Sequence, residues 1–181
     1  MSQNSISYFK DNFNGGTRAN RFLVTPQWPS GISVNNNDST FKIISASLPL
    51  VQINSISIPY RGRMFNVAGD RQYSPWTVGV YDDNNTQGLW RAFQLWKERM
   101  DGHYTHKVQT SNRDFSYRQY QKTWMIQQLD VNNTTTFKRT IRLFKCWPSV
   151  VGEINLNLGE SNFVAFNVTL TFDNIEISEG L

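Results

Sequence analysis

The sequence is short of cysteine and of long apolar runs, and each shortage excludes a class of protein. One cysteine, Cys146, in 181 residues rules out an internal disulfide framework and is typical of a reducing compartment. No run of about eighteen apolar residues is present, so we expect no transmembrane helix and no membrane partner. The N-terminal stretch lacks an apolar segment behind a basic start, so we expect no secretory signal there.

The chain has the length of one domain. With 181 residues it can build a hydrophobic core of its own. We expect a single domain over residues 1–181, with a flexible N-terminal arm at 1–20 and a C-terminal tail at 174–181.

The charge is basic overall but unevenly distributed. The net charge of +4 and the pI near 9.3 invite a nucleic-acid-binding interpretation. Residues 147–181, however, hold five acidic residues and no lysine or arginine. A mildly basic surface is the simpler interpretation. A β-barrel nucleic-acid-binding module stays open as an alternative, which salt-dependent binding to DNA fragments would favour.

No residue set has the composition of an active site, so we expect no enzyme, no catalytic residue, no cofactor site and no metal site. His103 and His106 are three residues apart, but no Cys, Asp or Glu set accompanies them. Cys146 is predicted to be a packed thiol, not a nucleophile. Asp70 and Arg71 lack a second carboxylate and a phosphate-binding glycine loop, so a structural ion pair or turn cap fits them better.

Alternating apolar and polar residues predict a mostly antiparallel β architecture. The clearest alternation runs over residues 164–172, and an Asn-rich turn between two other segments indicates a β-hairpin. The predicted fold is mainly β, an antiparallel sandwich or barrel with one flanking helix. The strands are predicted at residues 21–25, 41–47, 52–58, 76–81, 123–129, 137–146, 153–158 and 164–172.

One amphipathic helix is predicted between the strands. Its apolar residues recur at the spacing of a single helical face, which we expect to pack on the sheet as core. Asn84 is the predicted N-cap and Gly102 the predicted end. The core face consists of Leu89, Phe93, Trp96 and Met100.

The segment from Pro59 to Pro75 is predicted to be a long exposed loop. Pro59 lacks the N–H group that a central strand needs, which indicates that the preceding strand ends there. Because loops of this length are unusual between paired strands, we expect it to make contacts outside its own subunit. The residues expected to make those contacts are Arg61, Arg63, Phe65, Asp70 and Arg71.

Residues 65–83, FNVAGDRQYSPWTVGVYDD, resemble the signature of the tail tube proteins of T4-like contractile-tailed bacteriophages. The resemblance continues in RFLVTP at 21–26, SASLPL at 45–50, the amphipathic helix and residues 147–173. It implies a β-rich structural virion protein that self-assembles into hexameric rings, stacked into the hollow tube of a contractile tail. The 59–75 loop would then reach the next ring, and the tube would serve genome ejection.

The resemblance also implies partners and a location. They are other copies of the chain, the tail sheath protein, baseplate and tail terminator proteins, and double-stranded DNA in transient passage. The protein would reside in the phage tail, and in the host cytoplasm during assembly. A tube subunit of a headless contractile injection device, or a baseplate tube component, is the alternative within the same family.

If strands build the inward wall of such a tube, each has one face for the core and one for the channel. The polar faces of three predicted strands lack lysine and arginine, which suits sliding DNA because each phosphate–cation contact adds affinity. Solvated sheet faces are the alternative interpretation. The channel-facing candidates are Thr77, Tyr81, Glu153, Asn155, Asn157, Asn167, Thr169 and Thr171.

Overall fold

The computed structural model describes residues 6–13, 17–34, 36–82, 88–102, 117–130, 137–159 and 161–179. Within these ranges antiparallel strands dominate, which confirms the predicted mainly β class. The elements are α1 (Ile6–Asn12), β1 (Phe22–Thr25), α2 (Asn36–Phe41), β2 (Ile43–Ala46), β3 (Val51–Tyr60), β4 (Arg63–Tyr73), β5 (Trp76–Tyr81), α3 (Leu89–Met100), α4 (Tyr117–Tyr120), β6 (Lys122–Leu129), β7 (Phe137–Val151), β8 (Ala165–Thr171) and β9 (Asn174–Glu179).

Strand β7 belongs to both parts of the main sheet. Its first half lies between β6 and β9, and from Trp147 onward it pairs with β8. The strand order is β1-β6-β7-β8-β5-β2, with β9 beside β7, and every pair is antiparallel. The remaining two strands, β3 and β4, form a separate two-stranded sheet.

The change of neighbours in β7 occurs at an irregular backbone position. Lys145 has φ 59°, in the left-handed region that residues with a Cβ rarely adopt. Its ammonium group lies 3.1 Å from the carboxylate of Asp173, whose backbone N–H donates to the carbonyl of Phe144 at 3.1 Å. Bends of this kind let one strand pass from one sheet layer to another.

The core is unusually rich in aromatic rings. The ring centroid of Trp28 lies 4.8 Å from Phe93, 5.7 Å from Trp96 and 6.0 Å from Trp124. Trp124 also meets Trp76 edge to face at 6.1 Å, so rings from β5, β6 and α3 join in one cluster. Tilted and edge-to-face pairs at these separations are favourable beyond the burial of their area.

Helix α3 lies where the sequence predicts the amphipathic helix. Leu89, Phe93 and Trp96 are buried, and Met100 packs against the core while partly exposed. The indole N–H of Trp96 donates to the carbonyl of Tyr120 at 2.9 Å, which satisfies its one polar group. The helix packs against β7.

The predicted ends of this helix differ from the observed ones. The N-cap is Gly88, and the predicted Asn84 lies outside the described residues. At the other end Asp101 is the C-cap, and its backbone N–H donates to the backbone carbonyl of Lys97 at 2.9 Å. Gly102 follows one residue later, so the predicted stop was displaced by a single position.

One predicted strand was wrong, and another begins later than predicted. Residues 153–158 form no strand, because no neighbouring strand supplies partners for their backbone. Leu156 and Leu158, which were expected to face the core, are exposed. Phe41 ends helix α2 and is exposed, so strand β2 begins only at Ile43.

The terminal segments contain elements that the sequence reading did not place. Residues 174–179, expected as a tail, form β9 on the edge of β7. An exposed ion pair at 3.3 Å joins Arg142 of β7 to Glu176 of β9. The expected arm at residues 1–20 includes α1. Among the described helices none is long and apolar enough to cross a membrane.

Replacing Trp96 with alanine tests the packing of α3. Truncating a buried aromatic side chain typically costs about 3–5 kcal/mol of unfolding free energy. We expect the unfolding free energy of Trp96→Ala, measured by denaturant titration, to fall by this amount. We also expect the variant to yield less soluble protein. Trp90 of the same helix is 38% exposed, and Trp90→Ala is the matched control with a smaller expected loss. Equal stability of the Trp96 variant and wild type would show that α3 is not part of the core.

Candidate assembly surfaces

The segment predicted as a long loop is a β-hairpin. β3 and β4 pair along their length, with the ladder ending at Tyr60 opposite Arg63. The two residues between them, Arg61 and Gly62, have φ values of 47° and 79°. Two left-handed residues in a row define the type I′ turn, whose twist matches that of the flanking strands. The loop interpretation of residues 59–75 was therefore wrong.

Pro59 misled the prediction because its missing N–H does not matter here. It lies opposite Met64 in a sheet of two strands, where both strands are edges. Proline is tolerated on an edge strand when the N–H position faces away from the partner. The turn also lacks the usual Asn-Gly or Asp-Gly signature, since arginine holds its first position.

The two faces of the outer hairpin differ in polarity. Ile56 lies opposite Val67, and Ile58 lies opposite Phe65, so these side chains share one face. On the other face the Ser57 hydroxyl donates to Asn66 Oδ1 at 2.6 Å. We name the first surface the apolar hairpin face; it consists of Ile56, Ile58, Tyr60, Phe65 and Val67, with Arg63 opposite Tyr60 at its turn end. The other face is mixed, because Pro59 and Met64 lie on it beside the polar side chains.

The apolar hairpin face is uncovered. Ile56 is 52% exposed and Phe65 is 62% exposed. Neither hairpin strand packs extensively against another strand or helix of the described residues. A lone two-stranded hairpin is marginally stable in water and needs a further packing surface. This hairpin therefore has the character of an element completed by a partner.

The base of the hairpin is attached firmly to the main sheet. The ring of Tyr73 lies 5.5 Å from that of Phe172, and its hydroxyl donates to Asn174 Oδ1 at 3.0 Å. Ser74 N–H donates to the carbonyl of Leu50 at 3.2 Å, which closes the hairpin at its base. The anchored base fixes where the hairpin leaves the body, while its outer part contacts little of its own chain.

The five predicted contact residues fall into two groups on the hairpin. Arg61 lies in the turn and Arg63 directly follows it, and the guanidinium carbon of Arg61 lies 5.3 Å from the centroid of the Tyr60 ring. Phe65 lies on the apolar hairpin face close to them.

The other two contact residues lie further down the hairpin. Asp70 and Arg71 are exposed at the register shift in β4, and no ion pair joins them in this described part of the chain. The expected structural pairing of these two side chains is therefore not formed.

One face of the β5–β8 part of the main sheet carries no charged side chain. Thr77 lies opposite Thr169, with their hydroxyl oxygens 3.1 Å apart, and Asn167 lies opposite Gly79. Their neighbours Val78 and Val168 point into the core and are buried. We name this surface the uncharged sheet face; its polar members are Ser45, Thr77, Tyr81, Asn167, Thr169 and Thr171.

The three remaining channel candidates lie elsewhere. Glu153, Asn155 and Asn157 are exposed in the segment that connects β7 to β8, not on a strand. We call residues 152–164 the connector; residue 160 lies outside the described ranges. The structure thus groups five of the eight candidates on one sheet face and separates these three from it.

The sheet has open edges. Among the described strands, β1 pairs only with β6, β2 pairs only with β5, and β9 pairs only with β7. Each therefore presents backbone donors and acceptors on its outer side. β2 lies directly beside the uncharged sheet face, so an added strand there would extend that face.

The candidate reactive groups do not converge on a site. Cys146 is buried, its thiol donates to the carbonyl of Leu143 at 3.3 Å, and burial raises its pKa to about 12. No group of three or more His, Cys, Asp or Glu side chains with the geometry of a metal site occurs in the described ranges. His103 and His106 lie outside them.

Comparison with known proteins identifies the family of this chain and agrees with its fold. The family model described as phage tail tube protein matches residues 17–178. The tail tube protein gp19 of Enterobacteria phage T4 is 28% identical over 143 residues, which cover 78% of this chain and 83% of the relative. This chain belongs to the phage tail tube protein family.

Solved structures show the same fold at low identity. A chain of the anti-feeding prophage baseplate superposes with a TM-score of 0.65 at 11% identity, over 92% of this chain and 97% of that chain. A chain of the sheath–tube complex of an extracellular contractile injection system, PVC, gives 0.58 at 12% identity, over 97% and 98% of the two chains.

The buried thiol generates a direct test. Because the pKa of Cys146 is raised to about 12, the thiolate fraction at pH 8 is on the order of one in ten thousand. We expect no measurable reaction of the native protein with a disulfide reagent at pH 8, and one thiol per chain after unfolding in guanidinium chloride. If the native protein rapidly released one equivalent of the reagent's thiol, Cys146 would be accessible.

Proposed function

We propose that six copies of this chain close into a ring and that such rings stack into a hollow tube through which phage DNA passes. The observation that carries the proposal is the apolar hairpin face, a large uncovered surface on an otherwise well-packed subunit of the tail tube family. Soluble monomers rarely leave such a surface without a function, and a second copy covers it without a further protein.

Ring closure is supported by the open sheet edges. Strands β1, β2 and β9 each lack one neighbour in the described chain, and pairing between adjacent copies would supply it. A head-to-tail contact between identical subunits forms a closed ring when a whole number of the rotations between neighbouring subunits adds up to a full turn. Sixfold closure is proposed by analogy with the anti-feeding prophage baseplate, whose structure is described as sixfold symmetrised.

Stacking of rings is assigned to the hairpin. Arg61, Arg63 and Phe65 lie at or near its outer end, where they contact little of their own chain, and Asp70 and Arg71 lie nearer its base. An anchored but protruding element can reach a neighbouring ring without disturbing the fold of its own subunit.

The channel wall is assigned to the uncharged sheet face. It combines small and polar side chains on one side of β5 and β8 with a buried core on the other. A wall without lysine or arginine forms no phosphate ion pairs, so DNA would move past it without being held. The basic residues of the chain would then lie on other surfaces.

The proposed partners follow from the same assembly. A structure described as a PVC sheath–tube complex contains a chain with this fold, which supports a sheath around the proposed tube. Baseplate and terminator proteins would contact its two ends, and assembly would take place in the host cytoplasm. A tube subunit of a headless injection device fits the same surfaces. The proposed role is mechanical and includes no catalytic step.

Polar substitutions on the apolar hairpin face test the stacking role. We expect the triple variant Ile56→Ser, Ile58→Ser, Phe65→Ser to remain folded, because these side chains contribute little to its own core. It should form no tubes, since the surface that associates would be polar. Circular dichroism and negative-stain electron microscopy supply the two readouts.

The matched control changes the opposite face of the same strand. Ser55→Thr with Ser57→Thr keeps the polar surface and suits a strand, so it should polymerise like wild type. Normal tubes from the triple serine variant would remove the hairpin from the assembly.

Lysine substitutions on the uncharged sheet face test the channel role. In phage particles, Asn167→Lys with Thr169→Lys should leave the tail intact and slow genome ejection, because lysine attracts phosphate. The delay should be largest at low salt, where screening is weakest. Ejection kinetics at two salt concentrations measure the effect.

The neutral pair Asn167→Gln with Thr169→Ser controls for shape. Asn155→Lys asks separately whether the connector lines the channel. If particles with the two sheet lysines ejected DNA at the wild-type rate, this sheet face would not line the channel.

A further inference from the structure

The connector is a second uncovered apolar surface. Leu156 is 83% exposed, Phe163 is 89% exposed, and Leu158 is exposed as fully as in an extended peptide. Three large apolar side chains so close together on a surface segment mark an interaction site more often than a solvated loop. Neither the core nor the channel assignment gives these side chains a role.

The connector and the hairpin lie at opposite ends of one ladder. The hairpin ends at Tyr73, three residues before β5 begins at Trp76. β5 ends at Tyr81, which pairs with Ala165 directly after the connector. The rings of Tyr81 and Phe163 lie 6.4 Å apart. Six strand residues span about 17 Å at roughly 3.4 Å per residue, so the base of the hairpin and the connector lie at opposite ends of β5.

This placement favours a contact between copies. Two different apolar surfaces at opposite ends of a subunit form a head-to-tail contact, which repeats from copy to copy without limit. A twofold dimer would instead bring identical surfaces together. The arrangement therefore suits growth along the direction of the β5–β8 ladder.

Charge also matches the hairpin to the connector. The hairpin strands and turn carry three arginines, Arg61, Arg63 and Arg71, against one acidic residue, Asp70. Residues 147–179 contain no lysine or arginine, and Glu153 of the connector is exposed. Opposite charge at the rim of an apolar contact selects the partner and its register more than it adds affinity.

We propose that the apolar hairpin face of one copy packs on the connector of the next copy, with Arg63 at the rim of that contact beside Glu153. Phe65 and Leu156 then lie in its apolar centre. The inference rests on the proposed self-assembly and identifies the surface that receives the hairpin. It assigns the connector to contact between copies, not to the channel.

Disulfide trapping between two proteins that each carry one added cysteine tests the contact. One preparation carries Phe65→Cys and the other Leu156→Cys; they are mixed, assembled and treated with copper–phenanthroline as oxidant. We expect a covalent dimer only in the mixture. The native Cys146 is buried, so wild type gives no background. The matched control pairs Ser57→Cys, on the opposite hairpin face, with Leu156→Cys and should give little dimer.

Electron microscopy of the same samples distinguishes failure of the hairpin–connector contact from failure of self-assembly. Tubes without the specific dimer, or with equal dimer from the Ser57→Cys control, would overturn the hairpin–connector contact and leave self-assembly in place. A dominant cross-link to a sheath protein in whole tails would also overturn it. If wild type formed no tubes under any assembly condition, the proposed function and this inference would both fail.

A charge exchange supplies a second test that does not depend on cysteine. Arg63→Glu and Glu153→Arg should each lower the fraction of protein that pellets as tubes severalfold. The double variant restores the opposite charges and should recover tube formation toward wild type. A double variant as poor as the single variants, with an unchanged circular dichroism spectrum, would contradict the proposed rim contact.

Discussion

Strand β7 pairs with β6 and β9 through its first half and with β8 through its second half, so both parts of the sheet depend on its bend. Lys145 takes a left-handed backbone conformation at this bend, and the strongly buried Leu143 and Cys146 flank it. The bend directs the apolar faces of both halves toward the same aromatic cluster, where Trp124 meets Trp28 and Trp76. Helix α3 then packs over β7.

The closed core leaves the apolar surface of the hairpin and connector outside it. Burial of apolar area is the main favourable term in both folding and association. The subunit buries one part of its apolar area in its own core when it folds. The two further apolar surfaces, on the hairpin and the connector, are left for association. The uncharged sheet face is a consequence of the same geometry, because the strands that bury Val78 and Val168 must present their other side chains outward.

The sequence predicted the elements whose pattern reflects burial within one chain. The alternation over residues 164–172 became β8, and the spacing of Leu89, Phe93 and Trp96 became the buried face of α3. Both patterns arise from packing against the chain's own core, which periodicity detects.

Elements whose apolar residues face outward were predicted poorly. Alternation in the connector suggested a strand, although its leucines have no covering layer in the subunit. The hairpin was missed because its turn places Arg61 in a conformation that Asn or Asp usually adopts. Strand β9 was missed because its apolar residue Ile177 is largely exposed. Periodicity cannot distinguish a face buried by the chain itself from one that a neighbouring copy covers.

A cryo-electron microscopy reconstruction of the assembled protein would show which surfaces the copies bury and which line the channel. We expect a tube of sixfold rings in which Thr77, Asn167 and Thr169 face the channel and the apolar hairpin face is buried by another copy. A reconstruction with a channel lined by lysine and arginine, or with Ile58 and Phe65 still exposed to solvent, would contradict it.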